Sequence, residues 1–195
     1  QGVNVERQSS LIRYKSIDLA IWTFLLGLFE TLIAISGSSW FKSQPYTVSL
    51  VPALSLIVYI RWGIFGSIYS ALGGLFLSLS LKASVDQTVV YVVGNLFSLL
   101  VYPLIVKVGK DRIRNSSLLS VLFAVMITLS MQIGRYIVSL FLGGKIESII
   151  DFITTDALSG VFAVVIILIV RRVDGLFEDQ ISYLRRIEEE NEEKR

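Results

Sequence analysis

Apolar runs dominate the chain, and their lengths match helices that cross a membrane. A crossing helix needs about 20 apolar residues to pass roughly 30 Å of hydrocarbon. Such runs occupy residues 17–36, 85–106 and 117–142, with a last one ending at Val170. A further run, 46–81, is long enough for two helices, and Arg61–Gly63 interrupts it. The pattern therefore predicts six helices, the second and third joined by a tight turn.

Composition supports a membrane protein over a soluble one. Of 195 residues, 53% are hydrophobic and 17% are charged, against about 25% charged in an average soluble domain. The mean hydropathy is +0.68. We therefore predict an all-α, integral membrane six-helix bundle, and we do not expect a soluble enzyme.

The positions of the basic residues predict the orientation of this bundle. Basic residues near the ends of spans tend to stay cytoplasmic. With a cytoplasmic N-terminus, each outer loop holds a single lysine, and the inner segments hold Arg7, Arg13, Lys15, Arg61, Lys107, Lys110, Arg112, Arg114, Arg171 and Arg172. We expect both termini to be cytoplasmic and the protein to lie in the cell membrane. The organisation is then a cytoplasmic tail (1–15), the bundle (16–172) and a charged tail (173–195).

The C-terminal tail has its own pattern. Its apolar residues recur at helical spacing and are followed by an acidic end, the apolar set being Val173, Leu176, Phe177, Ile181, Leu184 and Ile187. This spacing predicts a cytoplasmic amphipathic helix. Two interpretations are open: the helix lies along the membrane surface, or it contacts a cytoplasmic partner.

Small residues in the first helix form a seam. Thr23, Gly27 and Thr31 follow one another at every fourth position, a spacing that lets helix backbones approach closely in membranes. The seam is explained either by packing within the bundle or by docking of a separate membrane subunit, and we assign it to a partner interface.

Ionisable groups within the apolar runs are few, and they mark a candidate site because burying a charge in lipid is costly. Glu30, Arg135, Asp151 and Asp156 fall at a similar depth, toward the outer surface. Neighbouring polar and aromatic residues extend this cluster, namely Gln87, Tyr91, Asn95, Gln132 and Tyr136. Arg135 is explained by an ion pair with Glu30, Asp151 or Asp156, by a ligand that its guanidinium binds, or by both at once.

Several chemistries have no counterpart in the sequence. Cysteine and histidine are absent, which excludes disulfides, Cys/His metal sites and imidazole catalysis. There is no phosphate-binding loop and no paired-aspartate motif of lipid head-group transferases. With a net charge of +2 we expect no nucleic-acid partner, no cofactor and no metal. Any ATP-driven step belongs to another polypeptide.

The order of motifs resembles the substrate-binding S components of energy-coupling factor transporters. Val48–Pro52, Arg61–Gly63 and Ser70–Leu75 are similar to the second and third helices of that family. Gly134–Tyr136 and Thr154–Ser159 are similar to the fifth helix and the start of the sixth in the thiamin-type branch. The resemblance covers residues 16–172. Because the histidine of the thiamin branch is missing here, thiamin is not expected in that binding mode.

The resemblance implies capture of a vitamin-like small molecule near the outer surface, followed by uptake with a transmembrane T component and two ATPase subunits. It places the ligand between the loop after the first helix and helices four to six, and the matching residues here are Trp40, Tyr46, Tyr91, Asn95, Gln132, Arg135, Tyr136, Asp156 and Ser159. The alternative is a small six-span scaffold of the cell-envelope, rod-shape machinery, in which the polar cluster is structural. An enzyme acting on lipid is the least favoured class.

Overall fold

Helices and the turns that join them make up the described part of the chain. A computed structural model describes residues 2–40, 48–144, 150, 154 and 156–193, and these ranges hold no strand. The all-α class is confirmed.

Three helical units are long and apolar enough to cross a membrane. They are α1 (Gly2–Trp40), a unit formed by α4 (Val85–Asn95), a 3₁₀ segment (Leu96–Val101) and α5 (Tyr102–Val108), and α7 (Ser117–Phe141). The unit from Val85 to Val108 has 24 residues, which span about 36 Å at the α-helical rise and somewhat more across the 3₁₀ part. A short helix, α6 (Lys110–Asn115), leads into α7.

Three other apolar helices are shorter. They are α2 (Val51–Trp62, 12 residues), α3 (Phe65–Ser80, 16 residues) and α8 (Ala157–Val170, 14 residues). At 1.5 Å per residue they span roughly 18 to 24 Å, less than the hydrocarbon thickness of about 30 Å.

The predicted break between the second and third helices is confirmed. Helix α2 ends at Trp62, and Gly63 has φ +65°, a left-handed conformation that glycine adopts without strain. The Gly63 amide donates to the Tyr59 carbonyl at 3.0 Å, which closes the last turn of α2, and α3 begins two residues later.

Helix α2 forms the centre of the core. Every residue from Val51 to Trp62 is buried, so α2 is enclosed by its neighbours on all sides. Fully buried side chains from several other parts of the chain complete this core, among them Leu26 of α1, Ile105 of α5, Ile127 of α7, Ile167 of α8 and Phe177.

The structure gives the backbone conformation of both predicted tails. Helix α1 begins at Gly2, so residues 2–15 are helical and continuous with the first apolar run, and their position outside the bundle stays a prediction. At the other end, turns follow α8, and the amphipathic helix α9 begins only at Gln180 and ends at Glu193. Gly175, with φ +71°, interrupts the predicted helix. Phe177 is fully buried, so this turn docks on the bundle.

The small-residue seam of α1 packs against α3. The Thr23 hydroxyl lies 2.8 Å from that of Tyr69, and Thr31 accepts a hydrogen bond from Ser80 at 3.2 Å. A Cβ atom on Gly27 would lie 3.3 Å from the Phe76 ring. The seam therefore contacts α3 within the bundle, while its three residues stay half-exposed, and docking of a separate membrane subunit on it stays a prediction.

Candidate functional site

The site is built around a close crossing of α4 and α7. A Cβ atom on Gly134 would lie 2.2 Å from the Gly94 carbonyl oxygen, and one on Gly94 would lie 2.5 Å from Arg135 Cα. No side chain fits at either position without moving a backbone. Because the two helices touch here, Asn95 and Tyr91 of α4 lie beside Arg135 of α7.

Arg135 is 2% exposed, and its guanidinium group contacts three other side chains. Its Nε atom donates to Asn95 Oδ1 at 2.7 Å, and its Nη1 atom donates to Asp156 Oδ2 at 2.7 Å. Its Cζ atom lies 4.8 Å from the centre of the Tyr91 ring, a distance at which a cation is attracted to the ring face. The ion pair considered from the sequence thus forms, and Asp156 is the partner.

Asp156, just before α8, joins two further side chains to this pair. Its Oδ2 atom also accepts a hydrogen bond from Gln132 Nε2, and its Oδ1 atom accepts one from the Ser159 hydroxyl. Asn95 is fixed from the other side, since its Nδ2 atom donates to the Ser70 carbonyl oxygen at 2.9 Å. The guanidinium is therefore held by residues of α4, α7 and the start of α8.

Hydrogen bonds continue from Ser159 to Glu30 of α1. The Ser49 amide donates to the Ser159 hydroxyl at 2.8 Å, and the Ser49 hydroxyl donates to Glu30 Oε2 at 3.0 Å. The Leu50 amide donates to Glu30 Oε1 at 2.6 Å. We call this continuous set of buried groups the polar network: Glu30, Ser49, Asn95, Gln132, Arg135, Asp156 and Ser159.

Two atoms of the polar network have no hydrogen-bond partner among the described residues. They are Arg135 Nη2, a donor, and Gln132 Oε1, an acceptor, and both are buried. A buried polar group without a partner costs roughly 1 to 3 kcal/mol. Such groups are rare in folded proteins and are a reason to look for a ligand.

The network lies far from a second buried ion pair near the other end of α1. Arg61 of α2 and Asp18 of α1 form that pair at 2.5 Å. Glu30 follows Asp18 by twelve residues on the same helix, which corresponds to about 18 Å along its axis. We call the end that holds Arg61 the basic end, because Lys110, Arg114 and Arg171 also lie there, in contact with the C-terminal turn or with one another.

Two clefts reach residues of the site. One, of about 430 Å³, lies between the start of α4 and the end of α7, with Tyr91 and Asp86 in its wall. The other, of about 400 Å³, runs between α7 and α8. The wall of the second cleft is largely apolar, and Gln132 and Asp156 lie at one end of it.

The structure brings together five of the predicted binding residues: Tyr91, Asn95, Gln132, Arg135 and Asp156, with Ser159 as a sixth through Asp156. Tyr136 is half-buried and follows Arg135 by one position, which is about 100° around α7. Tyr46 lies outside the described residues, and so does the side chain of Trp40, the last residue of α1.

Gln87 does not join the cluster. Its side chain accepts a hydrogen bond from the Ser84 amide, while the Ser84 hydroxyl accepts one from the Gln87 amide. These reciprocal bonds form a capping box at the start of α4. The Ser-x-x-Gln spacing carried that signal. Gln87 lies in the wall of the cleft that also contains Tyr91, and no hydrogen bond given for the described residues joins it to the polar network.

Sequence reasoning missed Ser49 and Ser70. Ser49 links Glu30 to Ser159, and the carbonyl of Ser70 holds Asn95. The position of Ser49 just before an apolar helix was a usable signal for the first. No such signal existed for Ser70, because it holds Asn95 through its backbone carbonyl, a group that every residue type has. Comparisons of the chain with protein-family models, curated proteins and solved structures found no match.

Proposed function

We propose that this protein captures a small, vitamin-like molecule in the membrane and delivers it as the S component of an energy-coupling factor transporter. The observation that carries the proposal is the polar network, whose donor Arg135 Nη2 and acceptor Gln132 Oε1 are both buried and both without a described partner. A site that only stabilised the fold would gain by satisfying these two atoms within the chain. A ligand that satisfies them fits the arrangement.

The way in which the network joins the bundle supports binding coupled to movement. Its residues belong to α1, α4, α7 and the starts of α2 and α8, and Asn95 ties it to α3. A molecule bound here is therefore linked, directly or through the hydrogen bonds of the network, to each of the apolar helical units. Differential contacts of this kind are what a ligand needs in order to shift a conformational equilibrium.

The proposal includes six membrane crossings with both termini in the cytoplasm. Arg61, Lys110, Arg114 and Arg171 share the basic end, as the preference of basic residues for the cytoplasmic side requires. The polar network, about 18 Å away along α1, then lies in the outer half of the membrane. In this arrangement the shorter helices α2, α3 and α8 also count as crossings.

Energy is expected to come from partners. The sequence has no phosphate-binding loop, so two ATPase subunits and a transmembrane T component would drive release of the ligand. The chain itself is proposed to be a transport subunit without enzymatic activity.

Native mass spectrometry of the gently purified protein tests the proposal. We expect one small molecule per chain, identified after denaturation, and its loss in Arg135→Ala. Because that variant also breaks a buried ion pair, Arg135→Lys, which keeps the charge, gives a second measurement with reduced occupancy expected. The matched control is Arg61→Lys, the same change in the buried pair at the basic end, which should keep its ligand.

A molecule retained in Arg135→Ala would contradict the assigned site. An empty parent protein that also binds nothing in a metabolite screen would favour the alternative, a scaffold of the cell-envelope machinery. In that case the polar network would serve only to hold the helices together.

A further inference from the structure

The two unpartnered atoms of the polar network lie on neighbouring side chains with a common anchor. Gln132 and Arg135 are three positions apart on α7 and therefore share a face. Both donate to the same atom, Asp156 Oδ2. Among the described residues, the atoms that remain for a ligand are one donor atom, Arg135 Nη2, and one acceptor atom, Gln132 Oε1.

The orientation of the Gln132 amide follows from its partner. A carboxylate accepts hydrogen bonds and has none to donate, so the amide nitrogen faces Asp156 and the oxygen faces away. The charge of Arg135 is already balanced by Asp156 at 2.7 Å. The site therefore selects a ligand by the match of hydrogen-bond donors and acceptors more than by the charge of the ligand.

This donor and acceptor pair discriminates between ligand classes. A carboxylate or phosphate offers only acceptors and would place one of them against Gln132 Oε1. An ammonium group offers only donors and would place one against Arg135 Nη2. A lactam, a cyclic urea or another ring with adjacent C=O and N–H groups satisfies both atoms.

The cleft whose wall includes Gln132 and Asp156, the ion-pair partner of Arg135, indicates the rest of the ligand. Gln132 and Asp156 lie at one end of the cleft between α7 and α8, and the remaining wall is mainly apolar, formed by Val125, Leu129, Val161, Val164 and Val165. Its volume of about 400 Å³ is within the range of small-molecule sites.

We propose that the ligand presents a neutral lactam or cyclic urea edge to Arg135 and Gln132 and places an aliphatic part in the cleft between α7 and α8. This inference rests on the proposed function and specifies the ligand class for the same site.

The test uses the full chain in detergent and two matched probes, 4-pentylimidazolidin-2-one and its 1,3-dimethyl derivative, with heptanoate as an acceptor-only probe. Isothermal titration, corrected for empty micelles, measures affinity. We expect the parent protein to prefer the N–H urea over the dimethyl urea at least about tenfold, the factor that corresponds to 1.4 kcal/mol, and to bind heptanoate no better than the dimethyl urea.

Gln132→Met removes the acceptor while keeping the length of the side chain, so the preference for the N–H urea should fall to near unity. Gln87→Met makes the same change at the exposed start of α4 and should leave the preference intact. Equal affinities of the two ureas in the parent, or an unchanged preference in Gln132→Met, would overturn the inference.

Failure of this inference can be told apart from failure of the proposed function. A co-purifying molecule that depends on Arg135 but carries only acceptors, such as a carboxylate, a phosphate or a phospholipid, would overturn the ligand class and leave capture standing. A parent protein with no co-purifying molecule and no measurable affinity for any probe would overturn both.

Discussion

Arg61, at the end of α2, donates to both carboxylate oxygens of Asp18 in α1, through Nη2 at 2.5 Å and Nε at 3.1 Å. The indole nitrogen of Trp62 donates to the same carboxylate at 2.5 Å. Three donors therefore converge on two oxygens. This arrangement fixes α1 and the end of α2 relative to one another.

Asp18→Asn should destabilise the protein strongly. An amide offers one acceptor oxygen, and its NH₂ group would face at least one of the three donors. Breaking a buried pair on one side costs roughly 3 kcal/mol or more, measured by thermal unfolding in detergent. Ligand occupancy of the folded fraction should stay that of the parent, because Asp18 lies at the basic end. A loss of ligand equal to that in Arg135→Ala would show that the two ends are not separable.

The sequence was sufficient for the features that local patterns encode. The break at Gly63 follows from a charged and glycine-containing interruption in an apolar run, and Asp156 was among three acids considered for Arg135. The chain of hydrogen bonds from Glu30 through Ser49 to Ser159 could not be predicted. It depends on backbone amides and on residues 110 positions apart, which only the folded bundle brings together.

Gly134→Ala should separate α4 from α7. The added methyl carbon would lie 2.2 Å from the Gly94 carbonyl oxygen, so the backbones must move apart and Arg135 must lose contact with Asn95 or Asp156. We expect a lower unfolding temperature and reduced ligand occupancy. Gly160→Ala in α8 is the control for stability, since its methyl carbon meets only Thr128 Cγ2 at 3.6 Å. That change should be neutral, or stabilising by up to about 1 kcal/mol through helix propensity.

Phe177→Ala should release the C-terminal turn from the bundle. Phe177 is fully buried, and truncating a buried phenylalanine costs about 3 to 5 kcal/mol. The loss is local, so limited proteolysis should cut between residues 171 and 180 sooner than in the parent. Val173→Ala, at a side chain that is 45% exposed, should leave the cleavage rate unchanged. Equal rates for Phe177→Ala and the parent would mean that the turn docks without this side chain.

Asp174 should titrate below its usual range. Arg186 donates a hydrogen bond to it at 2.9 Å, and this contact lowers the pKa of the carboxyl group. A lowered pKa in the folded state stabilises the docked turn at a pH above the unfolded value near 4. The stabilisation is lost as the pH falls through the folded value. Carboxyl NMR should show the pKa of Asp174 rising toward normal in Arg186→Gln. High salt should weaken the effect, because the carboxylate is exposed.

Glu30→Gln should stabilise the protein, whereas Glu30→Ala should destabilise it. Glu30 is fully buried, and none of the ion pairs among the described residues includes it. Its two oxygens accept from the Leu50 amide and the Ser49 hydroxyl. A glutamine can accept from the first and donate to the second, so the hydrogen bonds persist while an uncompensated buried charge disappears.

Alanine at position 30 leaves the Leu50 amide without its acceptor and opens a cavity, so it removes both the charge and the hydrogen bonds. Thermal unfolding in detergent compares the two variants with the parent. A glutamine variant less stable than the parent would show that the network needs the ionised carboxylate, which would make Glu30 a counter-charge to Arg135 across the site. A stabilised glutamine variant with weaker ligand binding would instead show that the charge of Glu30 is retained for function at a cost in stability.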